Sequence, residues 1–159
     1  MNEISNRFLI VVRHAHRETG LGRSEDNSLT EKGTIQARAF AEYHQDRLLN
    51  SKILLLSSPR QRCKETLAPL AEVLKLKIKV ELSLDEGEDL LHKFGDFLKI
   101  WNSHSTDSMV ICSHGDWIPE FSNHVLGIPI SLQKGGFIEL RWNQKRLGFE
   151  LEKIIQKLV

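Results

Sequence analysis

Three short apolar runs rich in branched side chains, FLIVV (8–12), KILLLSS (52–58) and MVICS (109–113), stand out from an otherwise mixed sequence. Continuous runs of this length predict strands covered on both faces, the state of strands in a parallel sheet. Between them the apolar spacing changes to the helical period. The first such stretch opens at Thr30, whose hydroxyl suits an N-cap, and carries Ile35, Ala39 and Tyr43 on one face. A second helix is predicted from about Pro59 to Leu74. In a third, Leu90, Leu91, Phe94, Phe97, Leu98 and Trp101 recur at helical spacing despite Gly95. A lesser strand, KIKVEL (77–82), alternates lysine with apolar residues, the pattern of a solvated face or of an edge protected from further pairing. A fourth helix is predicted from Pro119 to Leu126. After it, GFIELRW (136–142) and GFELEKII (148–155) flank NQKRL as an antiparallel hairpin at one end of the sheet.

Buried strands alternating with helices predict an α/β fold: a three-layer sandwich built on a mostly parallel open sheet with helices on both faces. No repeat, linker or low-complexity tract divides the 159 residues, so residues 1–159 are read as a single domain. In such folds ligands bind beyond the carboxyl ends of the strands. Arg13 and His14 follow the first run, Arg60 and Arg62 follow the second, and His114 follows the third. Chain order therefore predicts one rim on which His14, Arg13, His114 and one of the two later arginines converge.

Charge narrows the partners. The 22 basic and 21 acidic residues nearly cancel, leaving a net charge of +1, so no global field draws the chain to nucleic acid or to an anionic membrane. Any anion site must be local. The start, MNEISNRF, has no apolar signal core, and no stretch approaches the ~20 apolar residues of a membrane span. A cytoplasmic protein with buried, unpaired thiols at Cys63 and Cys112 is the expectation.

Two arginines and two histidines at one site suit a phosphoryl group. Guanidinium forks match its oxygens bidentately and stay charged at any working pH, while a neutral imidazole can attack phosphorus. A lone Arg-His pair would be read as a solvated loop; three matching strand exits reverse that. A thiolate phosphatase needs arginine six positions after its cysteine, and Pro69 and Ile118 stand at that offset from Cys63 and Cys112. No GxxxxGK[ST] loop is present. Paired histidines in HAH occur as metal ligands in barrel hydrolases, but such barrels need ~250 residues, so no metal or other cofactor is expected.

The blocks RHAHRE, LTEKGTIQA, SSPRQRCKET and SHGDW resemble, in order and rough spacing over residues 7 to 118, the histidine phosphatase (phosphoglycerate mutase-like) superfamily. The resemblance implies that His14 is phosphorylated during turnover and that Arg13 binds the transferred group. Arg62, read through Ser58 and Thr66, matches the second clamp of the pattern S-x-x-x-R-(A)-x-x-T, with Cys63 in the usual alanine position. His114 matches the histidine that hydrogen-bonds the phosphoryl oxygens. For the general acid, LSLDEGED supplies Glu86 as first choice, with Asp85 and Asp116 as alternatives. Arg17 either faces substrate or begins a loop, and His16 is read as a loop residue. His44, His92, His104 and His124 are read as surface or edge residues.

Length favours one branch. Mutases and sugar phosphatases of this superfamily carry a lid-forming insertion after the third strand, whereas Glu86 to Met109 holds little more than one helix. Glu18 or Thr19 stands where the mutase pattern has asparagine, and Asn27 lies too far on. The chain is therefore most similar to the short SixA-type phosphohistidine phosphatases. Its implied substrate is a phosphohistidine-bearing signalling protein. The alternatives are a broad small-molecule phosphomonoesterase of the same superfamily and a noncatalytic phosphoprotein-binding module.

Overall fold

Residues 7–104 and 108–159 are described by a computed structural model; the N-terminal stretch read for a targeting signal, residues 1–6, lies outside them. The elements in chain order are β1 (Phe8–Arg13), α1 (Glu31–Leu48), β2 (Ile53–Ser57), α2 (Gln61–Leu74), β3 (Ile78–Val80), α3 (Leu90–Ser103), β4 (Ser108–Ser113), α4 (Trp117–Leu126), β5 (Phe137–Asn143) and β6 (Gly148–Ile155). The six strands form one sheet in the order β3-β2-β4-β1-β5-β6. Parallel pairing joins β1 and β2 to β4 and β3 to β2, and the hairpin β5-β6 closes the other side antiparallel. This is the expected α/β architecture, with KIKV as an edge strand.

The alternation within β1 shows why it must be apolar throughout. Leu9 and Val11 point into the layer covered by α3 and α4, whereas Ile10 and Val12 point into the layer covered by α1 and α2. All four are fully buried, each contributing on the order of 1.5–3 kcal/mol relative to exposure. The first layer is aromatic, with Phe94, Phe97, Trp117 and Phe121 packed edge to face or stacked. Among the described residues no helix is long and apolar enough to cross a membrane.

Three expectations need correction. The inward face of α1 is Gly33, Ala37, Phe40, Ala41, His44 and Leu48, not Ile35, Ala39 and Tyr43; Ile35 is 50% exposed. Small residues let α1 lie close to the chain: a Cβ on Gly33 would fall 1.9 Å from the His16 carbonyl oxygen. His44, expected at the surface, is consequently buried against Phe40, Tyr43 and Phe137. In α3, Leu91 leaves the apolar stripe and is 70% exposed, because the tight helical face turned to the sheet passes through Phe94, Phe97 and Trp101.

Candidate active site

The carboxyl ends of β1, β2 and β4 lie side by side because β4 pairs in parallel with both neighbours. Their exits place Arg13 and His14 after β1, Ser58 after β2 with Arg62 in the first turn of α2, and His114 directly after β4. The rings of His14 and His114 lie 5.5 Å apart, and Arg62 Nη2 lies 3.5 Å from His114 Nδ1. Four side chains distant in sequence thus share one pocket.

His14 Nδ1 is 2.9 Å from the Ala15 carbonyl oxygen, which can only accept, so the ring proton sits on Nδ1 and Nε2 keeps its lone pair. Burial lowers the His14 pKa to about 3, the Ala15 hydrogen bond opposing and Arg62, Arg13 and Arg17 adding to the shift. The imidazole is therefore neutral and nucleophilic at ordinary pH. For His114 burial lowers the pKa to about 2, helped by His14, Arg62, Arg60 and Arg17. Its Nε2 meets Ser58 Oγ at 2.7 Å. With that hydroxyl donating to Nε2, the proton on Nδ1 faces Glu86 Oε2, 3.5 Å away.

The arginines are held from behind and open in front. Arg13 Nη1 donates to the Leu132 carbonyl oxygen at 2.8 Å, while its buried Nε has no partner. Arg62 is 1% exposed, and its buried Nε and Nη1 also lack partners. Leaving a buried charged donor unpaired costs about 1–3 kcal/mol or more, a cost that an oxyanion bound at these atoms offsets. A Cβ at Gly115 would stand 2.8 Å from the Arg13 guanidinium, so the glycine after His114 makes the room this side chain occupies. Thr66 completes the scaffold. Its Oγ1 accepts from Ala15 N at 2.9 Å and donates to the Arg62 carbonyl oxygen at 2.7 Å, tying the two clamp segments together.

Of the expected acids, two approach His114: Glu86, whose carboxylate takes Arg62 Nη2 at 2.5 Å and lies 3.5 Å from His114 Nδ1, and Asp85, whose Oδ1 lies 3.8 Å from His114 Nε2. Asp85 is engaged by Arg60 Nε at 3.0 Å and by the Glu86 amide at 2.9 Å, and exposed Asp116 accepts from Gly87 N. Arg60, one third exposed, is bound to Asp85 at 3.0 Å and reaches Glu86 only at 3.9 Å, so the arginine buried against His114 is Arg62. Arg17 lies at the rim. Its Nη1 donates to the Arg23 carbonyl oxygen at 2.9 Å, and its charge acts on both buried imidazoles. His16 is more than loop: its Nδ1 meets Thr30 Oγ1 at 2.8 Å, pinning the N-cap of α1. Buried Asn27 binds the Gly22 and Glu25 carbonyl oxygens and shapes the same loop.

Two contributors escaped the sequence reading, Lys134 and the Leu132 carbonyl. Lys134, in the loop before β5, feels Arg13, Arg17, Arg23 and Lys32, which after its burial lower its pKa. The Leu132 carbonyl that holds Arg13 has no sequence signature, and Ser58 and Thr66 entered only as pattern positions. Cys63 and Cys112 are buried free thiols, with Cys63 Sγ 3.6 Å beneath His114 Nε2. Burial raises the Cys112 pKa, keeping that thiol protonated.

Residues 9–91 match the family model of the histidine phosphatase superfamily, branch 1. No curated protein sequence matches significantly. Similar solved structures include the protein histidine phosphatase SixA complexed with tungstate, with a TM-score of 0.78 and 16% identity over 94% of this chain and 96% of that one. A mycobacterial glucosyl-3-phosphoglycerate phosphatase has a TM-score of 0.76 at 18% identity, covering 94% and 98%. A mutant phosphoserine phosphatase of Entamoeba histolytica in complex with phosphoserine has a TM-score of 0.73 at 17% identity, covering 96% and 98%. At these identities the likeness is one of fold.

Proposed function

The chain belongs to the histidine phosphatase superfamily, and from that premise we propose that it is a metal-independent phosphatase that works through a phosphohistidine on His14 and takes its phosphoryl group from phosphohistidine in another protein. The observation that carries this reading is that an oxyanion, the Glu86 carboxylate, already rests on Arg62 and His114 beside the His14 ring. A phosphoryl group meets the same donors.

In the first step His14 Nε2 attacks phosphorus in line. The new N–P bond forms as the bond to the leaving group breaks, and the Glu86 carboxylate, displaced from Arg62 by the incoming phosphate, passes a proton that the phosphate brings in to that group. Arg13, Arg62 and the Nδ1–H of His114 stabilise the equatorial oxygens as charge builds, and Arg17 adds positive potential from the rim. In the second step water attacks, Glu86 takes up its proton, and inorganic phosphate leaves with His14 neutral again. A departing imidazole is readily protonated and asks less of the acid than an alkoxide does. The charge on Arg13 and Arg62 supplies what a metal would otherwise provide.

A protein substrate is supported by the open rim. Between Glu86 and His104 the described residues form α3 and its flanking turns, without the long insertion of a lid. Beside Gly115 and Asp116 a groove of about 710 Å³ runs between α3 and α4, lined by Leu90, Leu91, Phe94 and Pro119 together with Glu120, Asn123 and His124. A flank of a second protein that is apolar on one side and polar on the other suits such a lining. The test is incubation with a histidine-phosphorylated carrier protein, with and without chelator, and with small phosphate esters alongside. Acid-labile phosphate on His14, carrier dephosphorylation favoured over the esters, and indifference to chelator are expected. A wild-type enzyme that prefers the esters overturns the substrate assignment; full turnover by His14→Ala overturns the mechanism; phosphate bound but never transferred to His14 makes the chain a binding module.

A further inference from the structure

Glu86 sits in the turn that leads into α3, outside every helix and strand, yet side chains hold its backbone on both sides. Lys93, in the first turn of α3, donates from Nζ to the carbonyl oxygens of Asp85 and Glu86 at 3.2 and 3.1 Å. Asp85 Oδ1 accepts from Glu86 N, and Asp116 Oδ2 accepts from Gly87 N, each at 2.9 Å. The phosphatase scheme uses neither Lys93 nor Asp116. Asp116 follows His114 by two residues, so its bond ties the turn of the acid to the turn of the second imidazole.

The restraint ends at the backbone. The Glu86 side chain is partly exposed, and its carboxylate meets Arg62, His114 and, at 3.9 Å, Arg60. That carboxylate rests where phosphoryl oxygens bind, so an arriving phosphate must displace it. Because the amides and carbonyls around Glu86 are already taken, the displacement is a rotation about its side-chain torsions and not a movement of the turn. A loose turn would let the carboxylate drift into solvent, and a misplacement of about 1 Å at a reacting group costs on the order of 10²-fold in rate.

Resting on the phosphatase reading above, in which Glu86 handles the proton of the leaving group, we infer that Lys93 and Asp116 are positioning residues: together they make the Glu86 backbone a fixed pivot, from which the carboxylate swings off Arg62 toward the departing group. Asp116, an alternative acid by sequence, thus acts through Glu86 as a hydrogen-bond acceptor and not as a proton donor.

Two measurements test this. The first is calorimetric binding of inorganic phosphate, which competes with the Glu86 carboxylate at Arg62 and needs no turnover. Lys93→Met and Asp116→Ala loosen that carboxylate, and each is expected to tighten phosphate about threefold. The two residues carry opposite charge, so a plain field effect would move the affinities in opposite directions. The second is kcat/KM for phenyl phosphate, whose leaving group needs a proton, against 4-nitrophenyl phosphate, whose leaving group departs without one. Each variant is expected to lose about tenfold on the first ester and less than about twofold on the second. Lys93→Arg and Asp116→Asn, which keep the donor and the acceptor, recover most of the loss, and Lys93→Met adds nothing once Glu86→Gln is in place. Phosphate affinities that stay put or move oppositely, equal losses on the two esters, or an Asp116→Asn enzyme as impaired as Asp116→Ala would each overturn the pivot. Hydrolysis of neither ester nor of a histidine-phosphorylated carrier, with phosphate still tightened by both variants, sinks the phosphatase reading and leaves the pivot standing.

Discussion

Three imidazoles are buried in this protein, and the two at the strand ends differ instructively from the one in α1. Burial is the leading cause that lowers the pKa of each: His14 and His44 to about 3, His114 to about 2. A depressed histidine is therefore not by itself a mark of chemistry. What separates them is the company of oriented polar groups. His14 has a carbonyl oxygen fixing its tautomer, and His114 has Ser58 on one nitrogen and Arg62 and Glu86 at the other. His44 sits among the rings of Phe40, Tyr43 and Phe137, and its Nε2 has no partner. The first two are aimed, the third is packed.

Replacing the proposed nucleophile tests that contrast most severely. His14→Ala is expected to lower kcat on the order of 10⁴-fold or more, because removing a nucleophile collapses the whole catalytic unit; His44→Leu is expected to keep kcat near wild type, and an equal loss in both would erase the distinction. Among the clamps, Arg62→Ala should reduce kcat/KM by roughly 10²- to 10³-fold and Arg60→Ala by less than about tenfold, since the charge nearest the developing oxyanion dominates. The reverse order would put the wrong arginine at the reacting group.

Gly115→Ala sharpens the picture without removing any polar group. The new methyl meets the mobile end of Arg13, so the guanidinium shifts while the fold adapts. A loss of about 10- to 100-fold in kcat/KM with Tm little changed is expected from such a misplacement. A large fall in Tm with normal kinetics would mean that the glycine serves the backbone instead.

The smallest effect reads what the three imidazoles share. Their folded values lie below the ordinary value of about 6.5, so the unfolded chain takes up protons first as pH falls. The stability contributed by burying them neutral is complete above about pH 6.5 and drains away toward pH 3; at pH 5 each has cost about 2 kcal/mol. Chemical denaturation between pH 7 and pH 5 should show wild-type stability falling, with a slope about one third shallower in His44→Leu. An unchanged slope would mean that His44 titrates normally in the folded state.

The sheet was legible because strands covered on both faces leave nowhere for polar residues, so FLIVV, KILLLSS and MVICS announce themselves. The site was legible where function follows such a run directly, as with Arg13, His14 and His114. Arg60 and Arg62 were separable only through the family pattern; in space their difference is the turn of α2, which sends one to Asp85 and the other beneath His114. The face of α1 was misread because apolar size was taken as the guide, whereas the close approach of Gly33 to His16 selects the small side of that helix. Lys134 and the Leu132 carbonyl had no signal, since a lysine or a backbone oxygen in a loop looks alike wherever the loop goes.

By itself, then, the order of residues determined the layering, the strand exits and the chemical types that gather there, because alternation and helical period are local consequences of burial. Tertiary structure alone decided which charges meet. The contact of Arg62 with Glu86, the return of the Leu132 carbonyl to Arg13 and the packing of His44 join segments far apart in the chain, and no local rule of spacing carries the direction in which a loop returns.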